Sequence, residues 1–231
     1  MNNFSCLIFK RSKRSSAMYL LGLLWLFTLP VKAIDIQCEL AENIQIKPAI
    51  MATMLEAANK GYLYRVETST SNVTFEVNHF PFSTVEGQFN KFEGGLVLPE
   101  GRVQLKQALF IIKVDSVATG DDELNDYIKS DVFFNAMQFP VILFVSTGFE
   151  VINESTARLI GELTLHGMTR PLVFNVHMNT AKNHSSDISQ RITMIASAEI
   201  QRSDFGMHGL QVFVSDTVRF NLKIDVSRVS S

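Results

Sequence analysis

Cysteine, tryptophan and charge are all scarce in this chain: two Cys, one Trp and 19% charged residues among 231. Cys6 falls in an N-terminal stretch that reads as a leader, so Cys38 would remain alone and could form no internal disulfide. The residues before it, Asp35-Ile36-Gln37, lack the small side chains of a lipidation signal, which leaves a buried or dimer-forming thiol. Catalytic signatures are missing as well. There is no G-x-S-x-G, no phosphate-binding glycine loop and no dinucleotide fingerprint. His79, His166, His177, His184 and His208 make no H-x-H or H-x-x-x-H pair and have no cysteine cluster beside them. These absences argue against an enzyme, and the sequence implies no catalytic residue, no metal and no cofactor.

What is present begins with a leader. Lys10, Arg11, Lys13 and Arg14 precede an apolar run over 17–29, and Val31-Lys32-Ala33 offers small residues for cleavage. The run is short for a membrane span, so a signal peptide over 1–33, cleaved on export, is the expectation. Those 33 residues hold five of the 21 basic side chains and none of the 23 acidic ones, which leaves 16 − 23 = −7 on the remainder. So acidic a surface argues against nucleic acid as a partner. Residues 34–60 form an extension in which Ile46, Ile50, Met54, Leu55 and Ala58 recur near helical spacing. A helix over 48–59 is predicted, with Pro48 in its first turn and Gly61 as its stop.

From residue 61 the period changes to two. Strands are predicted over 62–67, 73–77, 84–98, 107–115, 141–150, 156–165, 171–180, 191–201 and 218–226, with a bulge or bend at Gly94-Gly95. The last is the cleanest, with Val218, Phe220, Leu222, Ile224 and Val226 alternating with polar residues. His166-Gly167 should be a tight turn between two strands, and Pro171 should sit near a strand start or on an unpaired edge. Eight or nine strands joined mostly by short polar turns predict an all-β fold, an antiparallel sheet closed or folded on itself. One insertion, 121–138, is helical in character: Asp121-Asp122-Glu123 puts acid at its start, and Leu124, Tyr127 and Ile128 share a face. It should cover an end or edge of the barrel.

Several segments then carry a resemblance. Ser71-Asn72-Val73-Thr74-Phe75-Glu76-Val77-Asn78-His79 is followed by Val85-Glu86-Gly87-Gln88-Phe89, Phe92-Glu93-Gly94 and Asp131-Val132-Phe133-Phe134-Asn135-Ala136. Phe139-Pro140, Phe144-Val145-Ser146, Leu163-Thr164-Leu165-His166-Gly167 with Thr169-Arg170-Pro171, and Arg202-Ser203-Asp204-Phe205-Gly206-Met207 complete the order. Together they resemble the YceI-like family over about 62–226. The resemblance implies a lipocalin-like antiparallel barrel of about eight strands, exported to the periplasm. It also implies an isoprenoid lipid, of polyprenyl phosphate or quinone type, held in the lumen for transport or sequestration. The chain departs from the family in carrying Asp121-Asp122-Glu123 where members usually have an Asn-Arg or Arg-Asp pair before the helix.

The inward apolar faces nominate the lining: Phe75, Val77, Phe89, Phe110, Ile112, Phe144, Leu163, Leu165, Phe174, Phe220 and Leu222, with Phe133 and Phe134 closing an end. Arg202 and Asp204 are expected to pair and fix the loop after the 191–201 strand, the alternative being that they line a ligand entrance with His208. The polar residues of the His166 turn read as rim chemistry. Further partners are a transient contact with the inner membrane and a second copy in a homodimer. The alternative function is an interaction or stress-response protein whose barrel is only a packed core.

Overall fold

The computed structural model describes residues 46–81, 83–99, 105–179 and 191–229. The predicted leader over 1–33, Cys38 and the polar loop over 182–190 lie outside the described residues. The chain divides into two compact units, Met1–Leu55 and Glu56–Ser231. Helix α1 (Pro48–Asn59) has the predicted bounds. It ends as Gly61 enters the left-handed region at φ 69°, and Tyr62 N–H donates to the Ala57 carbonyl at 2.8 Å.

The second unit is built of strands β1 (Leu63–Val66), β2 (Asn72–His79), β3 (Ser83–Phe89), β4 (Phe92–Val97), β5 (Gln107–Lys113) and β6 (Val117–Ala118). Helix α2 (Asp122–Lys129) follows, then β7 (Val141–Val151), β8 (Thr156–Leu165), β9 (Met168–Asn179), β10 (Arg191–Gln201) and β11 (Val214–Arg228). All pairings are antiparallel. The ladder runs β1-β4-β5-β7-β8-β9-β10-β11, and β11 returns to β1 through Tyr64 opposite Arg228, so the sheet closes. The three remaining strands continue existing staves. β1 with β2, β3 with β4, and β5 with β6 are halves of bent strands, because β2 pairs with β11 and β3, and β3 with β6. The result is an eight-stave, lipocalin-like barrel.

β11 makes the closure possible. Over its 15 residues it pairs with β10 along one edge, and with β2 and then β1 along the other. Its inward residues Phe220, Leu222, Ile224 and Val226 are all buried, as their alternation predicts. Pro171 sits opposite Glu162 of β8, while the ladder from β9 to β10 begins only at Asn175, so the proline lies on an unpaired edge. The turn between β8 and β9 has both His166 (φ 50°) and Gly167 (φ 73°) in the left-handed region, as a two-residue hairpin requires.

The structure corrects one prediction in this region. The 84–98 strand breaks at Asn90-Lys91, not at Gly94-Gly95, where the ladder to β5 runs on without a shift. Gly94 is there for space. A Cβ at that position would meet the Phe110 ring at 2.7 Å and Val66 Cγ2 at 2.9 Å. Gly87 under the Phe75 ring and Gly161 under the Phe144 ring repeat the arrangement. Each phenylalanine lies down on a glycine of the neighbouring strand instead of reaching across the interior. β7 and β8 also shift register between Ser146 and Gly148, an irregularity that alternation in sequence does not reveal.

Gly161→Ala would drive a methyl against Phe144 and to 2.5 Å from the Val145 carbonyl oxygen. We expect a loss of about 1–3 kcal/mol in stability, measured by urea unfolding. A change under about 0.5 kcal/mol would show that the ring is not seated there.

Candidate lipid-binding cavities

Two apolar cavities lie within the barrel unit. The lumen cavity, about 60 Å³, is lined by residues that include Phe110, Ile112, Phe144, Leu163, Phe174, Phe220 and Leu222. Ala196 on β10 also lines it, opposite Leu222, and Ala198 faces Phe220. Small side chains on β10 against large ones on β11 keep the interior from filling. The mouth cavity, about 230 Å³, is lined by Phe75, Val77, Phe133, Phe134, Leu165 and Phe220 among others. Phe220 is the one residue common to both linings. Either volume exceeds the roughly 10–15 Å³ that one water requires.

Of the residues nominated from sequence, twelve line one cavity or the other. Phe89 lines neither. It is buried to 2% exposure and packs between Phe75, with centroids 5.5 Å apart, and Phe134, at 5.9 Å. Its alternation with polar neighbours is real, but the inward direction at β3 leads into core beneath the aromatic cluster. Alternation gives the face, not what lies opposite it.

α2 covers the mouth, and its sequence sets where it starts and stops. The Asp121 carboxylate accepts from Leu124 N–H at 3.1 Å, an N-cap, and Asp122 and Glu123 follow in the first turn. The helix stops at Lys129, short of the predicted 138. Ser130 Oγ donates to the Tyr127 carbonyl at 2.7 Å, and the chain turns through Asn135 at φ 46°. Leu124, Tyr127 and Ile128 face the mouth cavity, and the turn after them brings Phe133 and Phe134 to it.

Among the mouth-lining residues, His79, Tyr127 and Arg202 carry polar side chains. Arg202 is only 2% exposed. The expected pairing with Asp204 does not form. Instead, Arg202 Nε donates to the Ser215 carbonyl at 3.0 Å, Nη1 to Met207 at 2.9 Å and Nη2 to Val214 at 3.0 Å. Its guanidinium carbon also lies 5.8 Å from the centre of the Phe133 ring. Backbone carbonyls of the following turn and of β11 come within reach because Arg202 opens a short 3-10 turn, Arg202–Phe205, that folds back on β11. Burial pushes the guanidinium below its ordinary value, and the charge of Asp216 acts in the opposite direction.

Asp216 is tied to the same turn, accepting from Ser203 N–H at 2.9 Å and from Ser203 Oγ at 2.6 Å. Burial alone would raise its carboxyl. The Ser203 bonds and the charges of Arg202 and His208 outweigh that and hold it below the usual range. His166 does more than turn the chain. Its Nδ1 meets the Phe205 carbonyl at 2.9 Å, and its ring lies against Phe139 at 4.6 Å with the planes tilted by 58°, so the β8–β9 hairpin holds the Arg202 turn in place.

A family model described as the YceI-like domain matches residues 64–226. The chain belongs to the YceI-like domain family. It is similar to a UPF0312 protein of Shewanella denitrificans, 27% identical over 158 residues, covering 68% of this chain and 81% of that one. A UPF0312 protein of Vibrio cholerae is 27% identical over 161 residues, 69% and 84% of the two chains. Among solved structures, Burkholderia cenocepacia BcnA superposes with a TM-score of 0.61 at 22% identity, over 69% of this chain and 98% of its own. A polyisoprenoid binding domain from Saccharophagus degradans, implicated in plant cell wall breakdown, superposes at 0.57 with 18% identity, over 72% and 98%. The matched span of this YceI-like chain starts within β1 and ends within β11, and so covers the closed barrel.

Two measurements follow from the Arg202 cluster. Arg202→Met removes the donors from three carbonyls, and we expect a loss of about 3 kcal/mol in urea unfolding; a loss under about 1 kcal/mol would mean that water replaces the guanidinium. Because the folded Asp216 carboxyl titrates below its unfolded value, its stabilisation is complete above the unfolded value and lost as pH falls through the folded one. Between about pH 5 and pH 2, Asp216→Asn should therefore lose less melting temperature than the parent chain. Parallel curves would exclude Asp216 as a contributor.

Proposed function

We propose that this YceI-like protein is a non-enzymatic lipid-binding protein that holds an isoprenoid lipid in its barrel for transport or sequestration. The observation that carries this reading is the pair of apolar cavities whose linings share Phe220. The Saccharophagus degradans domain, named as polyisoprenoid-binding, supports the same class of ligand. The leader-like 1–33 segment supports export to the periplasm, where the protein would meet the inner membrane transiently.

The lumen cavity as it stands admits only a short stretch of chain. A longer tail needs Phe220 to turn aside and join the two spaces. Its affinity would come from apolar burial: roughly 0.8 kcal/mol per carbon, or about 4 kcal/mol for each five-carbon unit. A few units offset the ordering cost of association, about 4–15 kcal/mol. The polar end then falls at the mouth, beside His79, Tyr127 and Arg202, where a quinone carbonyl would find a donor, whereas a phosphate would also face the exposed carboxylates of α2.

Native mass spectrometry and organic extraction of the purified protein should release a prenyl lipid. Ala196→Trp should fill the lumen and weaken binding of a long-chain polyprenol about tenfold or more, a loss of at least about 1.4 kcal/mol, with the β circular dichroism unchanged. A parent chain that binds no polyprenol would favour a barrel that is only packed core.

A further inference from the structure

We infer that the turns Phe80-Pro81 and 208–213 form a docking surface for a lipid bilayer of zwitterionic headgroups, through which the cavity is loaded. This rests on the carrier reading and adds to it the place and the chemistry of the contact.

Four large apolar side chains stand in water there: Phe80 at 55% exposure, Leu210 at 40%, Val212 at 80% and Phe213 at 55%. They form one patch, because Phe80 N–H donates to the Phe213 carbonyl at 2.7 Å and Val214 pairs with His79. A scattered exposed hydrophobe needs no explanation, but four on two joined turns do. The patch is also continuous with the mouth cavity. Leu210 lines it directly, and His79 and Val214, chain neighbours of Phe80 and Phe213, line it too. The backbone presents these side chains at some cost. Leu210 is held in the left-handed region at φ 49°, and the Phe213 and Val214 amides both close on its carbonyl, at 2.9 and 2.8 Å.

A bilayer is the occupant that fits. A prenyl tail cannot cross water at useful rates, and protruding aromatic and aliphatic tips enter the boundary between headgroups and acyl chains. Charge selects the kind of bilayer. α2, whose inner face lines the same mouth, carries exposed Asp122, Glu123 and Asp126, with Asp121 before it and Asp131 after it. The one basic side chain in its last turn, Lys129, is bound to Asp126 at 2.8 Å. Anionic headgroups would be repelled from this rim, so the surface suits zwitterionic ones.

The test separates loading from holding. A fluorescent long-chain polyprenol is offered to the full chain either in phosphatidylcholine vesicles or in detergent micelles. The triple variant Phe80→Ser, Val212→Ser, Phe213→Ser should take it up about tenfold more slowly from vesicles, while its equilibrium affinity in detergent stays within about twofold. Replacing part of the phosphatidylcholine with phosphatidylglycerol should slow the parent chain. If the triple variant folds poorly, Val212→Ser alone should still slow vesicle uptake with unchanged affinity in detergent. Parent-like uptake by the variants overturns the inference and leaves the patch to a protein partner. A parent chain that binds the polyprenol from neither source overturns the carrier reading, and this inference with it.

Discussion

A phenylalanine ring seated on a glycine is the contact on which the interior depends. Phe75 over Gly87, Phe110 over Gly94 and Phe144 over Gly161 each need a neighbour without a side chain. Without those seats the rings would project across a barrel of eight staves, which is barely wide enough to be filled by its own side chains. With them, the aromatic mass becomes wall. The alanines of β10 act in the same direction, and the cavities are the volume that remains. The choice costs stability, because glycine in a strand is entropically unfavourable and a void forgoes dispersion contacts. A protein selected only for a tight core would have little reason to accept both.

The second organising contact joins parts of the chain far apart in sequence. The hairpin at His166-Gly167 and the turn beginning at Arg202 meet through the His166 ring and the Phe205 carbonyl. The Arg202 turn is fastened in its turn to β11 by three bonds to carbonyls and by Ser203 to Asp216. The hairpin, the turn and the start of β11 thus form one rigid corner. That corner supplies Leu165, Arg202, Met207 and Val214 to the mouth cavity.

Much of this was legible in the sequence, because alternation is a direct consequence of how strands present side chains. The bounds of 156–165 and 191–201 agree with β8 and β10, and the inward set of β11 follows from its residues alone. What could not be read depended on the opposite wall. Gly94 looked like a bend because nothing in the sequence places the Phe110 ring upon it. Phe89 shares the signature of a lining residue, yet two other aromatic rings fill the space it faces. From the sequence, Arg202 is expected to pair with Asp204. Its real partners are carbonyls of residues 207, 214 and 215, which no side-chain pattern announces. Even α2 shows the limit: its cap is written in Asp121, while its end is decided by turns that the apolar Phe133-Phe134 pair disguises.

The return of β11 to β1 also governs when the barrel can come into being. Tyr64 lies opposite Arg228, so the first stave of the sheet is not paired on both edges until residue 228 is in place. Contacts this far apart in sequence close slowly, since the intervening loop must be ordered first. Until the C-terminal strand arrives, β1, β2 and their apolar inner faces have an open edge. The barrel therefore closes only once β1 and β11 are both available, whatever the order in which the staves between them pair.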